Sequence, residues 1–252
     1  FNELDQLDQT LILWRSSSQW IGGLYFLFSI LLLIDLFDEN LKRSLTNYIS
    51  LNSSEIFKQV FKIIVIYLSM TILIFLMLKL VNIRSYDAYN YSLTIISSGG
   101  FLPNNNFDTT FTTDISKIIL SISMLFSFFS LFFTYNLALY KKKGIKFIQE
   151  DIYLIFYLLI ITFVCFVLID QSIDFSLIFL AISSSISNIG LSMEETPNSL
   201  SFIFLILIII GGSFYSTSSG LRFIKIYSLF KFSINEMISH AKPKNVFINK
   251  LP

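Results

Sequence analysis

Five stretches of this chain, residues 11–37, 60–81, 115–140, 152–169 and 202–230, are each apolar and long enough to cross a lipid bilayer. A helix that spans the hydrocarbon layer needs roughly 20 such residues. Five of them in one 252-residue chain leave little room for a soluble fold. Hydrophobic residues make up 54% of the chain and charged residues only 14%, where a soluble domain carries about 25% charged residues. Mean hydropathy is +0.70. The expected fold class is therefore all-α and polytopic, because helices satisfy their own backbone polar groups inside the bilayer.

Two further segments, 85–100 and 174–190, are moderately apolar but too short and too rich in Ser and Gly to span. The Lys/Arg asymmetry of the loops orients the chain. Lys42, Arg43 and Lys58 fall on one side, with Lys141, Lys142, Lys143 and Lys146, and then Lys231, Lys242, Lys244 and Lys250. The opposite side offers Arg84 against Asp87, Asp108, Asp174, Glu194 and Glu195. The first side is expected to be cytoplasmic, which puts both short segments outside, each between an outgoing and a returning helix.

That arrangement occurs twice. Residues 58–140 and 150–231 each read as an outgoing helix, a connector (Tyr86-Asp87, then Ile173-Asp174), a half-length apolar segment, a Ser/Gly turn and a returning helix. Gly100 and Gly190 occupy matching places, and membrane transport proteins are commonly built from such duplicated units. Residues 1–40 then read as the returning helix of a preceding repeat, and 232–252 as a cytoplasmic link. The start at Phe1 followed by Asn-Glu-Leu-Asp shows no secretory leader, so the chain is expected to begin inside a longer protein.

A half-helix that stops inside the membrane aims the negative end of its dipole at the membrane centre, which favours a cation there. Glycines at the turn let backbone carbonyls face a pore and replace an ion's hydration shell. Ser97-Ser98-Gly99-Gly100-Phe101 and Ser187-Asn188-Ile189-Gly190-Leu191 both fit this description. The competing reading is a pair of ordinary Ser/Gly-rich outer loops. Two such turns do not ring an ion, since a closed filter takes about four.

Four motifs in order resemble the Trk/Ktr/HKT superfamily of potassium and sodium transporters, specifically its TrkH-like membrane subunits. Trp14-Arg15-Ser16-Ser17-Ser18-Gln19-Trp20-Ile21-Gly22-Gly23 is similar to the stretch that follows the family's first filter. Tyr86-Asp87-Ala88 leading to Ser98-Gly99-Gly100-Phe101 resembles the second pore helix and filter. Residues 211–222, from Gly211-Gly212-Ser213 through Ser216-Thr217-Ser218-Ser219-Gly220 to Arg222, resemble the third-repeat segment that lies below the filter. The tail from His240 to Val246 resembles the linker to a fourth repeat.

The resemblance implies that Ser98, Gly99, Gly100, Phe101, Asn188, Ile189, Gly190 and Leu191 line a selectivity filter with potassium at these positions. Gly211, Gly212, Ser213, Ser216, Thr217, Ser218, Ser219 and Gly220 would form an intramembrane gate loop, with Arg222 and Lys225 as gate charges. A small-residue helix-packing face is the alternative for that segment. It further implies potassium uptake across a bacterial inner membrane, with no other cofactor and no enzymatic activity. Membrane lipid, a second copy of the chain and cytoplasmic nucleotide-binding regulatory subunits would be the partners. A sodium-selective relative and an unrelated carrier or flippase are the alternatives. Asn188-Ile189-Gly190-Leu191 departs from the usual Thr-Thr-Gly-Phe, Ser219 stands where glycine is usual, and Arg222 and Lys225 replace the usual Lys-then-Arg pair.

Other chemistry has little support. Net charge is +1 and no basic cluster is interleaved with nucleic-acid-type motifs, so nucleic acid is not an expected partner. Cys165 is the single cysteine and His240 the single histidine, which removes disulfides within the chain and His-based metal sites. Arg15, Lys62 and Lys79 read as interface anchors, with long stems in the membrane and charges at its edge. Asp35 reads as inert at an inner helix end.

Overall fold

A computed structural model of the chain describes residues 7–37, 56–105, 107–131, 133–134, 148–168, 174–193 and 200–241. The basic loop residues Lys42, Arg43, Lys141, Lys142, Lys143, Lys146, Lys242, Lys244 and Lys250, the acidic Glu194 and Glu195, and the 242–252 link lie outside them.

The helices start and stop on recognisable chemistry. Helix α1 (Gln9–Phe37) is capped by Asp8, whose carboxylate accepts from the Thr10 N–H at 3.1 Å. Helix α2 (Ile56–Leu80) ends where Asn82 takes a left-handed φ of 62°. Lys79 closes that end by donating to the Ile83 carbonyl and the Ser85 hydroxyl, so it is a helix-end tie. Half-helix α3 (Ser85–Ile96), the single turn α4 (Phe107–Thr110) and α5 (Asp114–Phe128) follow. Thr113 caps α5 by accepting from the Ser116 N–H. Next come α6 (Ile148–Leu168), half-helix α7 (Phe175–Ser187), α8 (Ser201–Ile209), strands β1 (Ile210–Gly211) and β2 (Leu221–Arg222), and α9 (Phe223–Ala241).

Two helices among the described residues are long and apolar enough to cross a membrane, Val60–Leu80 and Asp151–Leu168. The half-helices are well enclosed by protein, and the polar residues they carry go in with them: Asn90, Ser92, Thr94, Ser183 and Ser187 are all fully buried. Helix α6 instead turns Phe156, Ile160, Phe163 and Val167 outward, an apolar face suited to lipid. Packing repeats along the chain. Helix α1 packs along α3, and α5 packs along α7 over the broadest contact among the described residues. Half-helix α3 thus lies between α1 and α2, and half-helix α7 lies against α5.

Two expected spans are interrupted. The 115–140 span stops at Phe128: Phe129 is extended (φ −77°, ψ 162°) and helical bonding resumes from Ser130. No Gly or Pro marks this break. It is held from outside, by the Asp151 carboxylate accepting from the Ser130 N–H at 3.3 Å and the Tyr215 carbonyl accepting from the Leu131 N–H at 2.9 Å. The 202–230 span is split after nine residues of α8 by the loop at 210–222, whose ends pair as two parallel two-residue strands.

Candidate functional site

The two Ser/Gly turns have one backbone design. At the end of α3 the Gly99 N–H bonds the Thr94 carbonyl and the Ser98 N–H bonds that of Ile95. At the end of α7 Ile189 bonds Ser184, and Asn188 bonds Ser185, in the same way. This is the Schellman closure, which requires a left-handed residue just past the helix. Ser98 and Asn188 supply it with φ of 53° and 57°. Gly100 and Gly190 are left-handed again at 69° and 78°, so the hand of the chain changes at alternate positions. Successive carbonyls are thereby turned away from the strict alternation of a strand.

The closure corrects one expectation. The last carbonyls of each half-helix do not point unpaired at the membrane centre, because Thr94, Ile95, Ser184 and Ser185 accept the Schellman bonds. The Ile96 carbonyl accepts from the Thr217 hydroxyl at 2.7 Å. Within the first turn the Gly99 carbonyl accepts from the Gln19 amide.

The segments touch each other and their surroundings unequally. A Cβ on Gly100 would overlap the Ile189 carbonyl oxygen, whereas one on Gly190 would meet open space. Helix α1 runs beside the first turn. Gln19 donates its amide to the Gly99 carbonyl at 3.0 Å, and a Cβ on Gly99 would overlap that amide. Arg15 donates to the Leu102 carbonyl at 3.1 Å with its guanidinium 4.2 Å from the centre of the Phe101 ring. Trp20, Tyr67 and Thr71 lock α1 to α2 behind this contact, through a 2.9 Å Trp20–Thr71 bond and rings 5.1 Å apart.

Next to the turns, the 210–222 loop is folded around a guanidinium. Arg222 donates to the Ser213 and Ser218 carbonyls and the Ser216 hydroxyl at 3.1, 2.9 and 3.0 Å, and to the Ser216 carbonyl at 3.3 Å. The loop is pinned to the α5 break by Ser213 N–H to Phe128 O and Ser218 N–H to Ser127 O. Gly212 sits where a Cβ would collide with the Phe128 carbonyl, and Gly211 where one would meet the Ser219 carbonyl. The Asn188 amide donates to the Ser219 carbonyl at 3.2 Å, which ties the loop to the second turn. At the other end of the same half-helix, Asp87 is buried near the start of α3. Burial pushes its carboxyl above the ordinary range, while neighbouring Arg84 pulls the other way.

Comparison with known proteins bears on this geometry. No family model matches the sequence. An uncharacterized cation transporter of Methanocaldococcus jannaschii, MJ1485, is 28% identical over 261 residues, covering 98% of this chain and 52% of its own length. The crystal structure of the potassium transporter TrkH from Vibrio parahaemolyticus matches 96% of this chain with a TM-score of 0.81, at 21% identity and over 52% of that protein. The chain has the TrkH fold. It spans about half the length of both proteins it matches.

Within this TrkH-like fold the residues singled out from sequence fall into three places. Ser98 to Phe101 and Asn188 to Leu191 form the two adjoining turns. Gly211 to Gly220 form one compact loop in contact with the second turn and the end of α3, rather than a small-residue packing face on a continuous helix. Arg222 belongs to that loop's interior, whereas Lys225 is exposed on α9. Ser219 is tolerated where glycine is usual because the left-handed residue there is Gly220, with φ 86°. Arg15, expected as an interface anchor, has its guanidinium on the residues after the first turn.

Gln19 and Asp151 carry structure that sequence reasoning did not assign. Gln19 stood inside a quoted motif, and its spacing of four from Arg15 was the available signal. Asp151, 1% exposed, follows Gln149 and Glu150 in the first turn of α6, so in the sequence it reads as an ordinary polar helix start. Among the described residues no group of three or more His, Cys, Asp or Glu side chains is placed to hold a metal.

Proposed function

We propose that this chain supplies two of the pore segments of a cation-uptake protein, with potassium the transported ion. The observation that carries the reading is the matched pair of turns. Two half-helices, each enclosed by protein, end in the same Schellman closure and the same alternation of left-handed residues at 98/100 and 188/190. Ordinary outer loops have no reason to share this backbone, nor to bring Gly100 against the Ile189 carbonyl. Irregular backbone at membrane depth is tolerated where it lines a wet path. Oriented carbonyls there can replace the water around a monovalent cation. The kinship with a cation transporter and the fold shared with a potassium transporter support the same reading.

In this reading residues 58–140 and 150–231 are two repeats, 1–40 closes a preceding one, and 232–252 leads towards a further one. Ser98 to Phe101 and Asn188 to Leu191 provide filter carbonyls, and 211–220 is the gate beneath them. Arg222 holds that gate compact by taking its carbonyls as hydrogen-bond acceptors. The protein sits in the plasma membrane with the turns outside, pairs with a second copy, and takes cytoplasmic nucleotide-binding subunits on its lysine-rich inner loops.

The test is growth of a potassium-uptake-deficient host at limiting potassium with the full-length parent protein. Rescue by potassium is the expected outcome. Good membrane insertion without rescue would sink the reading, and rescue of sodium flux alone would assign the sodium-selective alternative.

A further inference from the structure

Arg15, Gln19 and Gly23 recur at intervals of four and so share one face of α1. They meet the first turn in reverse order. Arg15 bonds the Leu102 carbonyl, Gln19 bonds the Gly99 carbonyl, and Gly23 lies so close that a Cβ there would stand 3.0 Å from the Ser97 Cβ. The helix runs antiparallel to residues 97–102 and backs them residue by residue.

We propose that Gln19 is a positioning residue for ion discrimination, fixing the Gly99 carbonyl against α1 so that the first turn keeps its spacing whatever cation occupies it. The proposal rests on the cation-uptake reading given above. Its amide nitrogen donates to Gly99 at 3.0 Å, while its Oε1 is buried without a partner among the described residues. An orphaned buried acceptor is unfavourable, and an apolar side chain of the same length would fill the space without it. A polar residue here is explained if the carbonyl it holds must not move.

Potassium and sodium carry the same charge and differ chiefly in size, so a carbonyl free to follow a smaller ion inward would cease to distinguish them. One tied to a helix cannot follow. The helix is itself held, by Trp20 to Thr71 at 2.9 Å and by the Tyr67 hydroxyl to the Trp20 carbonyl at 3.3 Å.

The experiment is rubidium uptake by the full-length parent, competed separately by potassium and by sodium, for wild type, Gln19→Met and Gln19→Asn. Methionine keeps the length and loses the donor, while asparagine keeps the amide but falls one methylene short. Both variants are expected to retain uptake and to let sodium compete about tenfold better relative to potassium. If Gln19→Met does not reach the membrane, Gln19→Asn decides. A wild-type potassium-to-sodium competition ratio in every variant that inserts overturns the proposal. A parent that inserts well but takes up no cation removes the function reading and this proposal with it. A discriminating parent with indifferent Gln19 variants removes only the proposal.

Discussion

The turns at 98–101 and 188–191 have one backbone and two kinds of support. The first is crowded: Gly99 is filled up to by Gln19, Gly100 by the Ile189 carbonyl, and the segment beyond is gripped by Arg15. The second has open space at Gly190, and its Asn188 side chain reaches to the loop at Ser219. Along α5, which packs on α7 as α1 packs on α3, the hydroxyls of Ser121, Ser123 and Ser127 donate within their own helix. The difference teaches that shared dihedrals do not imply shared sensitivity. A residue in the first turn is constrained by neighbours, and one in the second mainly by its own φ and by the adjoining loop.

The comparison is most exposed to Gly100→Ala. The new methyl group faces both a φ of 69° and the oxygen of Ile189, a backbone atom that cannot turn aside. Loss of rubidium uptake with insertion preserved is expected, and wild-type uptake would break the asymmetry. Next is Arg222→Gln, which strips the loop of its shared donor. Hydrogen bonds from a charged group contribute about 1.5–3 kcal/mol each, so a clear fall in thermal unfolding temperature is expected, measured on purified protein.

Gly190→Ala comes third. Only the left-handed backbone opposes it, at about 1–2 kcal/mol, and uptake should fall while remaining measurable. The smallest effect is expected from Asn188→Ala, which removes one side-chain bond to the loop, about 1 kcal/mol. It should alter uptake modestly and leave potassium-over-sodium competition unchanged, in contrast to substitution at Gln19.

Much of this site was legible in the sequence because its chemistry is local. A half-length apolar run ending in Ser-Ser-Gly-Gly announces both the helix stop and the left-handed turn, and Gly211-Gly212 with the following hydroxyls announces a segment that will not stay helical. What could not be read is what depends on partners distant in the chain. The break at Phe129 and Ser130 has no local cause, since a Phe/Ser run propagates a helix unless other groups take its N–H and C=O bonds. Here Asp151, Tyr215, Ser213 and Ser218 take them. Arg15 near a helix start suggests an interface anchor by position alone, and only the fold brings Leu102 and Phe101 within its reach. The capping of the half-helix carbonyls depended on Ser98 and Asn188 adopting positive φ, which non-glycine residues do uncommonly.

The most direct test is rubidium uptake by the full-length parent beside its Gly100→Ala and Gly190→Ala variants, each checked for membrane insertion. Uptake that potassium competes away, abolished by the first substitution and reduced by the second, is the predicted result. A well-inserted parent without uptake, or a Gly100→Ala variant as active as wild type, would contradict the assignment of these turns to the ion path.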